Sequence, residues 1–186
     1  RPGPVLVDIT KDAQQGKADF HYPDTVHLPG LHEPEPPDEA SLARAVELVD
    51  KAERPLILAG AGVMRSGASA ALRAFAEKTG TPVALTLLGI GSFPQSHPLC
   101  LGMMGMHGEA FVNTAIQHAD LLLAFGMRFD DRVTGNLKTY APHAKKIHVE
   151  IDPSEVGKNV KVDVALVSDL RVALEALTPA VRARRP

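Results

Sequence analysis

Arg128, Asp130, Asp131 and Arg132 follow almost at once on Leu121-Leu122-Leu123-Ala124-Phe125, an unbroken apolar run of strand length that ends at Gly126. A guanidinium is a planar fork of donors suited to phosphate or carboxylate, and here two forks alternate with acids able to orient them. Open parallel sheets bind ligands in the crevice outside the carboxyl ends of their strands. Charges placed directly after a buried strand therefore stand where a cofactor or an anionic substrate would lie. The competing reading is a solvated loop whose aspartates and arginines pair with each other.

Three further groupings bear on chemistry. Gly60-Ala61-Gly62 follows the apolar run 56–59 and precedes a helical pattern. Small residues there let backbone N–H groups approach a pyrophosphate, or simply make a tight turn. Arg65 stands where the dinucleotide fingerprint places its third glycine, and no acidic residue ends the next strand to hold a ribose. In Met103-Met104-Gly105-Met106-His107-Gly108, the glycines at 102, 105 and 108 argue against a regular element and for backbone lying close to something flat or polar, whereas the methionines alone would suit core packing. His148-x-Glu150 puts two polar side chains on one face of a strand. The partner cysteines of a zinc deaminase are missing, and the eight histidines show no metal spacing, so no metal site is expected. There is no Gly-x-Ser-x-Gly elbow for a hydrolase.

The elements that must position these residues can be read along the chain. Residues 4–9 have strand character, and 10–37, with five prolines at 23, 29, 34, 36 and 37, reads as an extended linker. Asp38 caps a helix carrying Leu42, Ala45, Val46, Val49 and Ala52 at helical spacing. Strands are expected at 56–59, 82–86, 120–125, 146–151 and 164–167. Helices are expected at about 68–78, closed by Gly80, at about 109–118, and from the cap Asp169 to about 177. The alternation predicts an α/β domain: a Rossmann-like parallel sheet of about six strands with helices on both faces. Residues 1–37 would be the end of a preceding domain and its linker, and 38–186 the compact domain.

Composition narrows the functions. A length of 186 residues suits one well-packed domain and an appendage, because a domain of that size buries roughly 70% of its unfolded surface. A net charge of −2 with interspersed signs leaves no footprint for nucleic acid. No apolar run approaches the roughly 20 residues that span a bilayer, and no signal peptide is evident, so no membrane partner is expected. One cysteine, Cys100, excludes an intrachain disulfide and suits a reducing cytoplasm. With no initial methionine and an early strand-like run, the chain is expected to be a piece of a longer polypeptide.

The strings GMRFDDRVTG at 126–135, LGMMGMHGEA at 101–110 and RPGPVLVDITKDAQ at 1–14 resemble, in the same order, signature segments of the large catalytic subunit of acetolactate synthases, also called acetohydroxyacid synthases. The likeness runs from residue 1 to about 177 and implies the central FAD-binding domain of a thiamine-diphosphate enzyme, preceded by the end of its pyrimidine-binding domain. It further implies FAD contacts at Arg1, Gly60, Gly62, Thr86, Leu87, Leu88, Gly105, Met106, His107, Gly126, Arg128, Asp130, Glu150, Ile151 and Asp169. Arg132 would anchor the carboxylate of the second 2-keto acid, with Asp131 lining the channel beside it. The implied reaction condenses two pyruvates to 2-acetolactate, or pyruvate and 2-ketobutyrate to 2-aceto-2-hydroxybutyrate, in branched-chain amino acid synthesis. Thiamine diphosphate and Mg2+ would be bound by the other domains of the polypeptide, the catalytic subunits would form a homodimer, and a small regulatory subunit would be a further partner. Because the activating glutamate and the Gly-Asp-Gly metal motif are not in this sequence, the chain alone is expected to be inactive. Thr10, Ala61 and Glu150 depart from the commoner proline, glycine and aspartate. The rival readings are the same domain of a glyoxylate carboligase or pyruvate oxidase, a sirtuin-like NAD-binding domain, and a structural domain that has lost its flavin.

Overall fold

The structure, a computed structural model, describes residues 4–26 and 35–184. Arg1 lies outside the described residues. The chain divides into two compact units, Arg1–Glu33 and Pro34–Pro186. In the first, Lys11–Gln15 form a short helix, α1, with the Gln14 side-chain amide donating to the Ile9 carbonyl at 2.7 Å. The strand expected at 4–9 does not form. Val5 and Leu6 are 87% and 93% exposed, and no strand pairs with them among the described residues. Apolar alternation cannot hold a strand without a neighbour to take its backbone hydrogen bonds.

The second unit opens with α2 (Glu39–Lys51), where the Asp38 carboxylate accepts from the Ser41 N–H at 2.9 Å and Ala45 and Val49 turn inward. Then follow β1 (Pro55–Ala59), α3 (Ala61–Arg65), α4 (Ser69–Thr79), β2 (Val83–Leu85), β3 (Cys100–Met103), α5 (Ala110–His118), β4 (Leu121–Phe125), α6 (Asp131–Thr134), β5 (Lys145–Glu150), β6 (Val164–Val167) and α7 (Leu170–Ala180). Gly80 ends α4 in the left-handed conformation, and Asp169 caps α7 by accepting from the Arg171 and Val172 N–H groups, both as the sequence suggested.

All six strands are parallel, in the order β3-β2-β1-β4-β5-β6. The central strands are buried on both faces. Odd positions such as Ile57, Leu123, Phe125 and Ile147 pack with α2, α4 and α7, while even positions such as Leu58, Leu122 and Ala124 pack with α5 and with Met127, Phe129 and Tyr140. Strand β3 lies within a stretch read from sequence as irregular. Gly102 takes φ +96°, and the register against β2 shifts between Val83 and Ala84, so this edge strand is a bulged one that local periodicity does not announce.

The chain starts mid-sheet, runs out through β2 to β3, then returns to place β4 beside β1. That reversal opens a crevice at the carboxyl ends of β1 and β4.

Candidate functional site

At the crevice the loops are joined by backbone hydrogen bonds. The Gly60 N–H donates to the Phe125 carbonyl at 3.0 Å, the Gly62 N–H to the Gly126 carbonyl at 2.9 Å, and the Gly126 N–H to the Val149 carbonyl at 3.0 Å. A Cβ on Gly60 would stand 2.5 Å from the Gly126 oxygen, and one on Gly62 would stand 2.5 Å from the Gly126 Cα. Gly126 has φ +59°. The N–H groups that cradle a pyrophosphate in a dinucleotide fingerprint are here committed to the opposite loop, so these glycines contribute close approach rather than donors.

Strand parity shifts by one residue at Gly126, past the end of β4. Met127 and Phe129 are buried against the even-residue face, which turns Arg128 and Asp130 outward, with side chains 53% and 38% exposed. The Arg128 guanidinium lies 3.9 Å from the Asp130 carboxylate. That carboxylate also caps α6, accepting from the Val133 N–H at 3.2 Å. Asp131 and Arg132 follow as exposed first-turn residues.

The loop after β3 is clipped to both neighbours. Asn113 of α5 accepts from the Gly105 N–H and donates to the Gly105 carbonyl, each at 2.9 Å. The Met106 N–H donates to the Arg132 carbonyl at 2.8 Å, and the Arg132 guanidinium donates to the Met106 sulfur at 3.6 Å. Gly105 sits at φ +94°, where a Cβ would lie 2.6 Å from the Arg132 carbonyl oxygen. Between these parts opens a cavity of about 270 Å³, lined by Met106, Asn113, Asp131, Arg132 and Tyr140 among others. The Tyr140 hydroxyl is buried without a hydrogen-bond partner, and burial pushes its pKa up, so it stays protonated.

The remaining sequence candidates fall on the same edge. Thr86 follows β2, and Leu87 and Leu88 form an exposed apolar turn after it. His107 is exposed beyond β3. Glu150 ends β5, is buried, and accepts from the Asp152 N–H at 3.3 Å, with Ile151 exposed next to it. Asp169 stands after β6 as the cap of α7. No group of three metal-ligating side chains occurs among the described residues. No helix among them is long and apolar enough to cross a membrane.

Residues 42–177 match the family model described as thiamine pyrophosphate enzyme, central domain. The chain belongs to that family. This central domain is 48% identical over 185 residues to the acetolactate synthase large subunit of Corynebacterium glutamicum, covering 100% of the chain and 30% of the relative. It is 46% identical over 184 residues to the probable acetolactate synthase large subunit of Methanocaldococcus jannaschii, covering 97% of the chain and 31% of the relative. Among solved structures, a putative thiamin diphosphate-dependent enzyme from Mycobacterium smegmatis superposes with a TM-score of 0.71 at 28% identity, over 87% of this chain and 31% of that one. The chain thus spans about a third of the length of these proteins.

Several residues that shape this central domain were not singled out from sequence. Asn113 offers a weak signal, since asparagine inside a helix usually has a bonding partner to justify it. Asn159, whose side chain donates to the Phe129 carbonyl at 2.8 Å, offers none. His148 was noted for its spacing from Glu150, but its role differs. It is fully buried, and its Nε2 bonds the Met127 carbonyl at 2.8 Å.

Gly126→Ala is expected to destabilise the domain by about 2–4 kcal/mol in urea unfolding, from left-handed strain plus a backbone clash. Burial holds the His148 pKa below its ordinary 6.5, against the opposing influence of the Met127 bond, Glu150 and Glu155. The unfolded chain therefore binds this proton more readily than the folded one, and the stability due to neutral His148 is complete above pH 6.5 and lost as pH falls through the lowered pKa. Thermal midpoints measured between pH 7 and 5 should fall, and fall less in His148→Gln.

Proposed function

We propose that this chain is the FAD-binding central domain of an acetolactate synthase, with residues 1–37 as the end of the pyrimidine-binding domain and the linker that follows it. The observation that carries the reading is the gathering, at the carboxyl ends of six parallel strands, of an outward-facing Arg128 at the topological switch point, a clipped Met106–Arg132 pair and exposed Leu87 and Leu88. Identity of 46–49% to acetolactate synthase large subunits across nearly the whole chain supports the same reading.

The donor set suits a flavin dinucleotide. Arg128 offers a planar fork to the diphosphate and Leu87 and Leu88 offer apolar surface to a flat ring, while the glycines 60, 62, 105 and 126 enter the set by resemblance. Thr86, Met106, His107, Asp130, Glu150, Ile151, Asp169 and Arg1 complete the set by resemblance. FAD in this role is structural.

Arg132 binds the carboxylate of the acceptor keto acid, pyruvate or 2-ketobutyrate, with the Met106 sulfur fixing the guanidinium and Asp131 bordering the channel. Holding the acceptor in one orientation lowers the entropic barrier to carbon–carbon bond formation. Thiamine diphosphate, bound with Mg2+ by the remaining domains, supplies the carbanion chemistry. A homodimer of catalytic subunits, a small regulatory subunit and a cytoplasmic location belong to the same reading.

Titrating the protein with FAD and following quenching of flavin fluorescence tests it. Saturable binding is expected, weakened roughly 10- to 100-fold in Arg128→Ala, as loss of a charged hydrogen bond predicts. Equal affinity in the variant, or no binding at all, would contradict the assignment. A product assay with pyruvate on the full-length polypeptide, all domains present, should yield acetolactate, and formation of tartronate semialdehyde from glyoxylate instead would point to a carboligase of the rival class.

A further inference from the structure

The two carbonyls that flank Arg128 are each held by a side chain from another element. His148, on β5, bonds the Met127 carbonyl at 2.8 Å, and Asn159, in the β5–β6 connection, bonds the Phe129 carbonyl at 2.8 Å. A carbonyl only accepts, so Nε2 of His148 carries the proton. The other ring nitrogen, Nδ1, is buried with no hydrogen-bond partner. An unpartnered buried nitrogen is a cost that leucine at this position would not carry, and the Met127 bond is what the imidazole provides in return. The Phe129 ring closes the arrangement, standing edge-on to His148 with centroids 5.2 Å apart and to Tyr140 at 6.2 Å.

Arg128 itself is poorly held. Its guanidinium is half-exposed, and its one ion pair among the described residues is the 3.9 Å contact with Asp130. The direction of so loosely held a side chain is set by its backbone. That backbone is pinned one residue before and one residue after by His148 and Asn159.

We propose that His148 and Asn159 are positioning residues that fix the peptide units around Arg128 and so aim its guanidinium at the anionic group of the cofactor. The proposal rests on the flavin reading above. Neither residue touches the ligand; both act through Arg128.

The test is a double-mutant cycle in FAD affinity on the protein as it occurs, with the thermal midpoint without FAD recorded for every variant. His148→Phe should weaken FAD binding about tenfold in the wild-type background. In the Arg128→Ala background the same change should produce no further weakening. His148→Gln, whose amide nitrogen can reach the Met127 carbonyl, should restore binding to within about threefold of wild type. Should His148→Phe fail to fold, Asn159→Ala, at an exposed position, carries the same cycle with the same expectations. Unchanged affinity in these variants would overturn the proposal, as would equal weakening in both backgrounds, since a merely structural defect is blind to Arg128. If Arg128→Ala alone leaves FAD affinity intact, the flavin reading falls first and this proposal with it.

Discussion

Where β1 and β4 end side by side, two loops must leave in different directions through a space with no room for a single added carbon. Gly60 and Gly62 lie against Gly126, and two hydrogen bonds join the loops. Everything at the carboxyl edge depends on this contact. It lets β1 and β4 stay in register to their last residues, Ala59 opposite Phe125, and sets the level from which the next side chains emerge. Because the loop N–H groups are used internally, recognition of an anion falls to the side chains that follow β4 rather than to the glycine turn after β1. This domain shares the strand order of dinucleotide-binding sheets while distributing the work differently.

Strand periodicity then decides which residues do that work. Leu122 and Ala124 bury on the α5 face, left-handed Gly126 shifts the alternation by one residue, and Met127 and Phe129 then bury on that face, so Arg128 and Asp130 face out. Asp130 starts α6, and α6 carries Arg132 to the loop after β3, where Met106 and Gly105 are held by Arg132 and Asn113. With Asn159 bonding the Phe129 carbonyl, the segments after β3, β4 and β5 form one connected hydrogen-bonded network.

Much of this was legible in the sequence, for identifiable reasons. The strands β1, β4, β5 and β6 are apolar runs bounded by turn residues. The ends of α2, α4 and α7 are marked by Asp38, Gly80 and Asp169, whose local chemistry fixes a helix boundary without help from the rest of the fold. Edge strand β3 was hidden because its Gly102 takes a left-handed φ and its pairing is set by β2, about fifteen residues earlier in sequence. Residues 4–9 show the reverse case, an apolar pattern with no partner strand among the described residues. Asn113, His148 and Asn159 each bond a backbone carbonyl eight, twenty-one and thirty residues away, and side chain-to-carbonyl contacts at such separations leave no pattern in a single sequence. The glycines at 60 and 62 were visible as a motif, but their use against Gly126 follows only once β4 is known to lie beside β1.

A crystal structure of the protein grown with FAD tests the central claim most directly. The account predicts the flavin along the carboxyl edge of the sheet, its diphosphate within hydrogen-bond reach of the Arg128 guanidinium and the Gly60–Gly126 contact unchanged. A saturating flavin bound away from the ends of β1 and β4, or a diphosphate held by the N–H groups of Gly60 and Gly62 after the two loops have separated, would contradict it.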